Sequence, residues 1–587
     1  MILGVYHPAN GVGHDTGVAL VDRDGSIVAA VSEERLSRIK MDGGFPFRAV
    51  EAVMKMGNVT PRDLDAVAVP YLGAAGKAAE GVRLAARALR DPAVFEGQLA
   101  LRRGRDRFQT GMRALGAYEY VPAFSARVRQ LRDVDGRPPI GDWRGFLRAT
   151  GLDTAPLARL DHHDAHAAGA WFASGWNDPL LITCDGVGAL KSGIVAAPEG
   201  GRLRVLARTF YPHSPGEFWE AVTVLCGFHH MKHGGKITGL AAYGNASAPC
   251  YDVMRRAIDV DGLTVRTAID PAGMAAALRG VAREDIAATA QRRLIEVVST
   301  LVANAMRATG RRRVALSGGV FANVRLNQVI AELPGLEEVF IVPAMGDEGL
   351  GLGAAWRTAM SRYGASPTRQ LHMYWGPDYS ESEMAGALSG HGLAASRFDD
   401  RDLADALAER LAAGQVAALF RGRMEVGPRA LGHRSILYQT SDPSVNDWLN
   451  TRLNRTEFMP FAPVTLYEHA DRCYDGLDRC RHAAEFMTIT CVCKPTAASQ
   501  SPAVVHLDGT ARPQLIRRDV DPFYYDVLAR YHARTGIPSL INTSFNMHEE
   551  PIVCTPDDAV RAFLRGHIDC MALGPFLVEH PDGTKRA

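Results

Sequence analysis

A pattern of three short apolar runs occurs twice in this chain, and that repetition constrains its fold more than any other feature. The first copy runs Ile2 to Tyr6, Gly17 to Val21 and Ile27 to Val31, with the turn residues Asp22, Arg23, Asp24 and Gly25 between the last two. Short apolar runs bounded by Asp and Gly predict a β-meander. The second copy runs Leu180 to Cys184, Ser192 to Ala197 and Arg202 to Ala207, with Pro198, Glu199, Gly200 and Gly201 as the turn. In each copy an aspartate lies in the loop after the first strand, Asp15 in one and Asp185 in the other. An internal repeat of a three-strand unit is therefore expected.

Between the copies, at about residues 75 to 150, an Ala/Arg/Leu-rich stretch reads as amphipathic helices with exposed arginines. These are either solvated helix faces or a lid or acceptor-specificity insertion. Two strand-loop-helix units follow, "RRRVALSGGVFANVRLNQVI" and "LEEVFIVPAMGDEGLGLGAAW". From Tyr363 to Ser382, Pro, Gly, Ser and aromatic residues without helical period predict a linker. A fresh α/β alternation from Glu383 predicts a second domain, so the expected division is 1–362, a linker 363–382, and 383–587. The 66 Lys and Arg against 65 Asp and Glu leave a net charge of +1, which supplies no global field toward nucleic acid or an anionic membrane. No run approaches the roughly 20 apolar residues of a membrane span, and no basic-led signal segment opens the chain, so a cytoplasmic location is expected. Nine scattered cysteines without a CxxC pair give neither a disulfide framework nor a zinc knuckle. Glycine, at 58 positions, exceeds the usual share of about 7%, and such excess often brings backbone close to a ligand.

The sharpest local signal is Asp161-His162-His163-Asp164-Ala165-His166, opening a helix of small residues. His162 and His166 are four apart and share one helix face, the spacing at which two imidazoles reach one metal ion. His163 stands where a zinc hydrolase carries its glutamate, which disfavours a metalloprotease. The spacing alone leaves a metal-free helix equally open. Asp185 and Asp347 could complete an N/O shell suited to Fe(II), Mn(II) or Zn(II). Ser317-Gly318-Gly319 and Gly346 sit where a strand feeds a helix, so their N–H groups could face phosphate, although neither standard phosphate signature is present. Lys236 in "HGGKITGLAAYG" adds a cation; tight turns are the alternative for each glycine group. In the second domain "GRMEVGPRALGHRS" gathers Arg423, Arg429 and Arg434, followed by Arg452, Arg455, Arg512 and "INTSFN". Arginine forks beside Ser, Thr and Asn donors suit a small dianion such as a phosphate ester.

With these motifs in order ("HDTGVALV", "EERLSRIK", HxxxH, "CDGVG", "GKITGLAAYG", "SGGVFAN", "GDEGLGLGAA", "GPRALGHRS", "PFAPV", "DGTARPQ", "NTSFNMHEEPIV"), the chain resembles the ATP-dependent O-carbamoyltransferases of the nodulation-factor and tobramycin type over nearly its whole length. The resemblance implies an α/β protein: a duplicated, actin-like (ASKHA) Kae1-like domain with a helical insertion, then a YrdC-like α/β domain. It implies that the YrdC-like domain makes carbamoyl adenylate from carbamoyl phosphate and Mg-ATP. The Kae1-like domain would then move the carbamoyl group to a hydroxyl of a small natural product. Fe(II) or another divalent transition metal would bridge the adenylate phosphate.

Carried over by motif, the resemblance implies His162, His166, Asp185 and Asp347 as metal ligands and His14 as the group that takes the proton from the acceptor hydroxyl. Lys40 would face the acceptor or the carbamoyl group. Gly186, Gly188, Lys236, Gly318, Gly319 and Asn323 would line the adenylate site, and Arg429, Arg455, Arg512, Ser544 and Asn546 would hold carbamoyl phosphate and the ATP phosphates. Ala189 replaces a glutamate common in the family, and Leu453 and Met459 stand where a lysine and a second arginine are usual. Either Arg452 stands in for that lysine or the pocket is built differently. Glu549 brings negative charge near the anion site. The expected partners are carbamoyl phosphate, ATP and a small hydroxylated acceptor, with no nucleic acid and no membrane, and apolar helices near residues 80 to 120 could serve a homodimer. The alternative on the same fold is carbamoyl or threonylcarbamoyl transfer to a macromolecule, in tRNA modification or protein maturation. A non-catalytic nucleotide sensor is disfavoured by His14, the HxxxH pair and the arginine-rich second domain.

Overall fold

The computed structural model describes residues 1–8, 14–72, 74–91, 94, 112, 142–453 and 458–583. Most of the helical insertion expected at 75 to 150, and Arg455, lie outside the described residues. The chain forms two compact units, one of Met1–Glu33 with Met41–Arg369 and the other of Glu34–Lys40 with Gln370–Ala587.

The first unit holds two five-stranded sheets of one design. Strands β1 (Ile2–Tyr6), β2 (Gly17–Val21), β3 (Ile27–Ser32), β4 (Ala66–Val69) and β5 (Leu157–Arg159) lie in the order β3-β2-β1-β4-β5. β1 is antiparallel to β2 and parallel to β4, and β4 is parallel to β5. In the second sheet are β6 (Leu180–Gly188), β7 (Lys191–Glu199) and β8 (Arg202–Phe210), then, after a β9–β10 hairpin (Ile258–Asp261, Thr264–Thr267), β11 (Arg313–Ser317) and β12 (Glu338–Ile341). Their order, β12-β11-β6-β7-β8, repeats the first, with β11 parallel to both β6 and β12. The duplication thus covers five strands, and the first strand of each meander becomes the centre of its sheet. A central strand is covered on both faces, which is why β1 is apolar throughout and every residue of it is buried.

Helix Leu350–Tyr363 packs on β1 and β2 and on helix His162–Ser174. It does so backbone to backbone. A Cβ on Gly4 would lie 1.8 Å from the Gly351 carbonyl oxygen, and one on Gly17 would lie 2.2 Å from that of Glu348. A Cβ on Gly353, on the other side of the same helix, would lie 2.1 Å from the Ala165 carbonyl oxygen. Gly351 and Gly353 of "DEGLGLGAA" therefore serve helix–strand and helix–helix approach. Trp356 locks the helix further: its Nε1–H donates to the Gly25 carbonyl at 2.9 Å and its ring stacks on Phe172.

The second unit is built on an eight-stranded mixed sheet in the order Ser396–Arg397, Phe576–Glu579, Cys570–Leu573, Ala417–Phe420, Arg434–Gln439, Ser539–Ser544, Ala462–Leu466, Gln514–Ile516. Alternate residues face opposite cores. Ala417 and Leu419 join Leu403, Leu407, Val527 and Leu528 of helices Asp400–Ala412 and Pro522–Thr535. Ala418 and Phe420 join Met384, Val445, Leu449 and Phe563 of the helices on the other face. Segment Glu34–Lys40 belongs to this unit: Leu36 packs against Met424, Ala430, Ile552 and Cys554. Arg38 donates to the carbonyls of Ile552 (2.6 Å) and Pro551 (2.8 Å). No described helix is long and apolar enough to cross a membrane.

Gly4→Ala is expected to destabilise the protein by at least about 1–3 kcal/mol, because the clashing atom is backbone and has nowhere to move. Urea-melt midpoints check this, and an unchanged midpoint would contradict the packing described.

Candidate metal centre and anion loops

Four side chains converge in the first unit. Asp161 caps helix His162–Ser174, its Oδ1 accepting from the His163 N–H at 3.0 Å, and so sets where the helix starts and which face His162 and His166 share. Both Nε2 atoms lie 3.3 Å from Asp185 Oδ2, and they lie 3.6 and 3.4 Å from Asp347 Oδ1. The candidate ligand atoms of the four residues are all within 4.8 Å of one another. Asp185 comes from the end of β6, where pairing with β7 is irregular between Cys184 and Gly188; Asp347 comes from the turn Asp347–Gly349 that begins helix Leu350–Tyr363. The expected loop at Asp185 is thus an irregular continuation of the strand.

Neighbours fix the imidazoles. His166 Nδ1 lies 3.1 Å from Ser317 Oγ, and a Cβ on Gly188 would lie 2.2 Å from the His162 ring. Tyr6, which sequence reasoning missed, donates its hydroxyl to Asp347 Oδ2 at 2.5 Å. Its signal was its place as the last residue of a buried strand leading to the first aspartate loop. Burial alone would raise the Asp185 carboxyl, but hydrogen bonds from His162 and His166 hold it well below the usual range. Burial opposes charge on His166, yet the two carboxylates push it up to about 9. Asp347 Oδ1 is buried without a hydrogen-bond donor. Two imidazoles, two carboxylates and a buried carboxylate oxygen with no donor fit a divalent transition ion with N/O preference. His163 is no part of this set, since its ring lies 2.9 Å from Thr183 Oγ1 and 3.1 Å from the Lys191 carbonyl.

His14 Nδ1 lies 2.8 Å from Asp15 Oδ2. Burial lowers its basicity, but Asp15, helped by Asp347 and Asp185, pushes His14 up to about 10. Of the residues expected to line an adenylate, the glycines gather around Asp185. Gly319 N–H donates to Asp185 Oδ1 at 3.3 Å, and Gly318, at φ 106°, admits no side chain because a Cβ would lie 2.2 Å from the Cys184 carbonyl. The Gly186 carbonyl accepts from Ser214 Oγ at 2.6 Å. Lys236 is buried on helix Gly234–Leu240. The Asn323 side chain is committed to structure: it caps helix Val324–Ala331 and exchanges two hydrogen bonds with Gln291.

In the second unit, buried Asn542 and Gln514 tie strands Ser539–Ser544 and Gln514–Ile516 to the loop that carries Ala430 and Leu431. Asn542 Nδ2 donates to Gln514 Oε1 (2.7 Å) and the Ala430 carbonyl (3.2 Å), and Gln514 Nε2 donates to the Leu431 carbonyl (2.7 Å). The segments carrying Arg429, Arg512 and Ser544 are thereby neighbours. Ser544 Oγ donates to Asn546 Oδ1 at 2.7 Å, and Asn546 Nδ2 donates to the Glu550 carbonyl at 2.8 Å. Asn542 and Gln514 stand inside the quoted motifs but went unread as parts of the site. Two expectations are corrected. Arg434 is no anion ligand: fully buried over the Phe420 ring, it donates to the carbonyls of Arg421, Gly422, His433 and Pro377. Arg452 does not take the place of the family lysine, because its guanidinium lies over Trp448 and donates to the His567 carbonyl at 3.3 Å. Leu453 is a core residue. Lys40 is counted with the second unit.

Two family models match the chain, Carbamoyltransferase N-terminus over residues 2–356 and Carbamoyltransferase C-terminus over residues 408–580. The chain is 31% identical to nodulation protein NolNO of Sinorhizobium fredii, over 96% of this chain and 79% of that protein. It is 33% identical to nodulation protein NolO of Bradyrhizobium diazoefficiens, over 71% of this chain and 78% of that protein. Among solved structures, component A of the (R)-2-hydroxyglutaryl-CoA dehydratase of Acidaminococcus fermentans is 13% identical at a TM-score of 0.33, covering 61% of this chain and 98% of that one. Full-length HypF in its phosphate- and nucleotide-bound form is 15% identical at a TM-score of 0.29, covering 42% and 51%. Both likenesses are too distant to carry a functional argument.

Gly188→Ala is expected to displace the His162 ring and weaken divalent-metal binding about 10-fold or more while the fold is retained. Metal titration with circular dichroism checks this; unchanged affinity would show that the contact does not aim the ring.

Proposed function

The chain belongs to the carbamoyltransferase family, a family of transferase enzymes, and on that premise we propose that it is an ATP-dependent O-carbamoyltransferase acting on a hydroxyl of a small natural product. Carbamoyl phosphate, water and ATP give carbamoyl adenylate, phosphate and pyrophosphate; the acceptor oxygen then bonds to the carbamoyl carbon and AMP departs. In this reading the first unit is a Kae1-like domain of the actin-like superfold, supported by its duplicated sheets of identical strand order. The second is YrdC-like, which rests on the family resemblance.

The observation that carries the proposal is the cluster of His162, His166, Asp185 and Asp347 at the meeting of the two duplicated sheets, with the Gly319 N–H on Asp185 beside it. These four residues would hold Fe(II) or another divalent transition ion, with Ser317 and Tyr6 keeping His166 and Asp347 in place. Such an ion, when bound, supplies a Lewis acid that neutralises charge on a phosphate leaving group. His14 would take the acceptor proton from its neutral form, which the Asp15 carboxylate makes the minor one at neutral pH, and the same carboxylate would stabilise the imidazolium that results. Gly186, Gly188, Gly318 and Gly319, with Lys236, line the adenylate. Asn323 contributes by starting helix Val324–Ala331 rather than by contact. Arg429, Arg455, Arg512, Ser544 and Asn546 bind carbamoyl phosphate and the ATP phosphates, and Lys40 faces the acceptor or the carbamoyl group.

Incubated with ATP and carbamoyl phosphate before any acceptor is added, the protein is expected to release pyrophosphate in an amount at least equal to the enzyme. No release with any divalent metal would overturn the adenylation step. His14→Ala is expected to keep this release and to slow transfer about 10²–10⁴-fold, and loss of both steps would remove its assigned role. The pair His162→Ala and His166→Ala is expected to abolish bound transition metal in elemental analysis.

A further inference from the structure

Lys191, the first residue of β7, is 2% exposed. Its Nζ lies 2.7 Å from Asp161 Oδ2 and 2.9 Å from Glu80 Oε1. An ammonium group taken this far from water is tolerated only when it is paired and hydrogen-bonded, and removing one partner leaves the others exposed to the full desolvation cost. The two carboxylates belong to elements with different roles. Asp161 is the cap of the helix that carries His162 and His166, so a single carboxylate starts that helix through Oδ1 and holds the lysine through Oδ2. Glu80 lies on helix Ala74–Ala88, the described beginning of the insertion between the duplicated halves, and is itself buried. Arg83 lies 2.9 Å from its Oε2 and Arg208 lies 3.7 Å from its Oε1.

The backbone of Lys191 is engaged on the same helix. Its carbonyl oxygen is 3.1 Å from His163 Nε2, and its register partner across the β6–β7 turn is Gly188, the residue pressed against the His162 ring. Lys191 thus meets the metal-bearing helix at its cap, at His163 and, through Gly188, at His162, while touching none of the four candidate ligand atoms.

We propose that Lys191 is a positioning residue for the metal centre, and that the Glu80–Lys191–Asp161 bridge couples the insertion helix Ala74–Ala88 to the helix bearing His162 and His166. This rests on the metal reading of the cluster. Coupling of this kind is reciprocal: a substitution in the insertion alters metal affinity, and metal binding steadies the insertion helix.

The test uses the full-length protein, with Co(II) as the probe followed by its visible absorption. The native protein is compared with Lys191→Met, Glu80→Gln and the His162→Ala, His166→Ala pair. Lys191→Met is expected to weaken Co(II) binding 10- to 100-fold, as loss of groups that orient metal ligands does. Glu80→Gln is expected to weaken it at least 3-fold although Glu80 contacts no ligand, and this variant decides the matter if Lys191→Met does not fold. Hydrogen exchange supplies a readout that a purely structural lysine would not move: Co(II) should slow exchange in residues 74–88 of the native protein and not in Glu80→Gln. Native-strength binding in both variants, or equal protection of residues 74–88 in native protein and Glu80→Gln, overturns the coupling. If the native protein binds Co(II) no better than the double-histidine variant, the metal reading itself fails, and this inference with it.

Discussion

The first unit depends on the contact of helix Leu350–Tyr363 with the backbone on two of its sides. On one side Gly351 meets Gly4 and Gly17 of the first sheet; on the other Gly353 meets Ala165 and Gly169 of the helix in front of the second. No side chain larger than hydrogen fits at Gly4, Gly17 or Gly353, so the separation between the halves is set by backbone atoms and not by adaptable side chains. That separation fixes Asp347, at the start of the helix and after β12, near Asp185 at the end of β6, with His162 and His166 lying against both. A looser contact would leave the carboxylates to move independently, and a site that needs all four ligand atoms within one small volume would lose its geometry first.

The cluster brings like charges together and is stable only because each member is held. Hydrogen bonds from His162 and His166 offset the burial of Asp185, Tyr6 holds Asp347, Ser317 lies against His166, and the Asp161 cap sets the rotation of the helix. Behind the cap stands Lys191 with its two carboxylates, a second buried charge network adjoining the first. The second unit handles polarity differently. Its sheet is buried on both faces, and two neutral side chains, Asn542 and Gln514, join the segments that carry Arg429, Arg512 and Ser544 through hydrogen bonds to one another and to neighbouring carbonyls.

Much of this was legible from residue order. The duplication was visible because strands and tight turns leave local marks, although only three strands of each copy were counted in the repeat; β11 and β12 were legible as strands of strand-loop-helix units, but that they and β4 and β5 extend the repeat depends on parallel pairing, which has no local signature. HxxxH was legible because helical spacing is a local property. That Asp185 and Asp347, rather than other carboxylates, close the site was reached through family motifs, and spacing alone would not have reached it. The arginines show the limit most clearly. Arg429 and Arg434 stand in one Gly-rich motif and look alike as text, yet Arg434 spends its donors on four carbonyls over Phe420. Arg452, next to the core residue Leu453, is likewise turned away, toward Trp448 and the His567 carbonyl.

By itself the sequence determined the repeated halves, the shared face of His162 and His166, the family, and which loops carry arginine, because each of these is written in spacing, turn chemistry or motif order over a few residues. Only the tertiary structure decided that Asp185 and Asp347 lie against the two histidines, that Gly351 and Gly353 pack against backbone, that Glu34–Lys40 belongs to the second unit, and that Lys191 is buried between Glu80 and Asp161. Those outcomes depend on contacts between segments far apart in the chain. Whether an arginine, a lysine or a glycine is structural or functional is set by what lies opposite it, and burial is a property of the fold rather than of the residue.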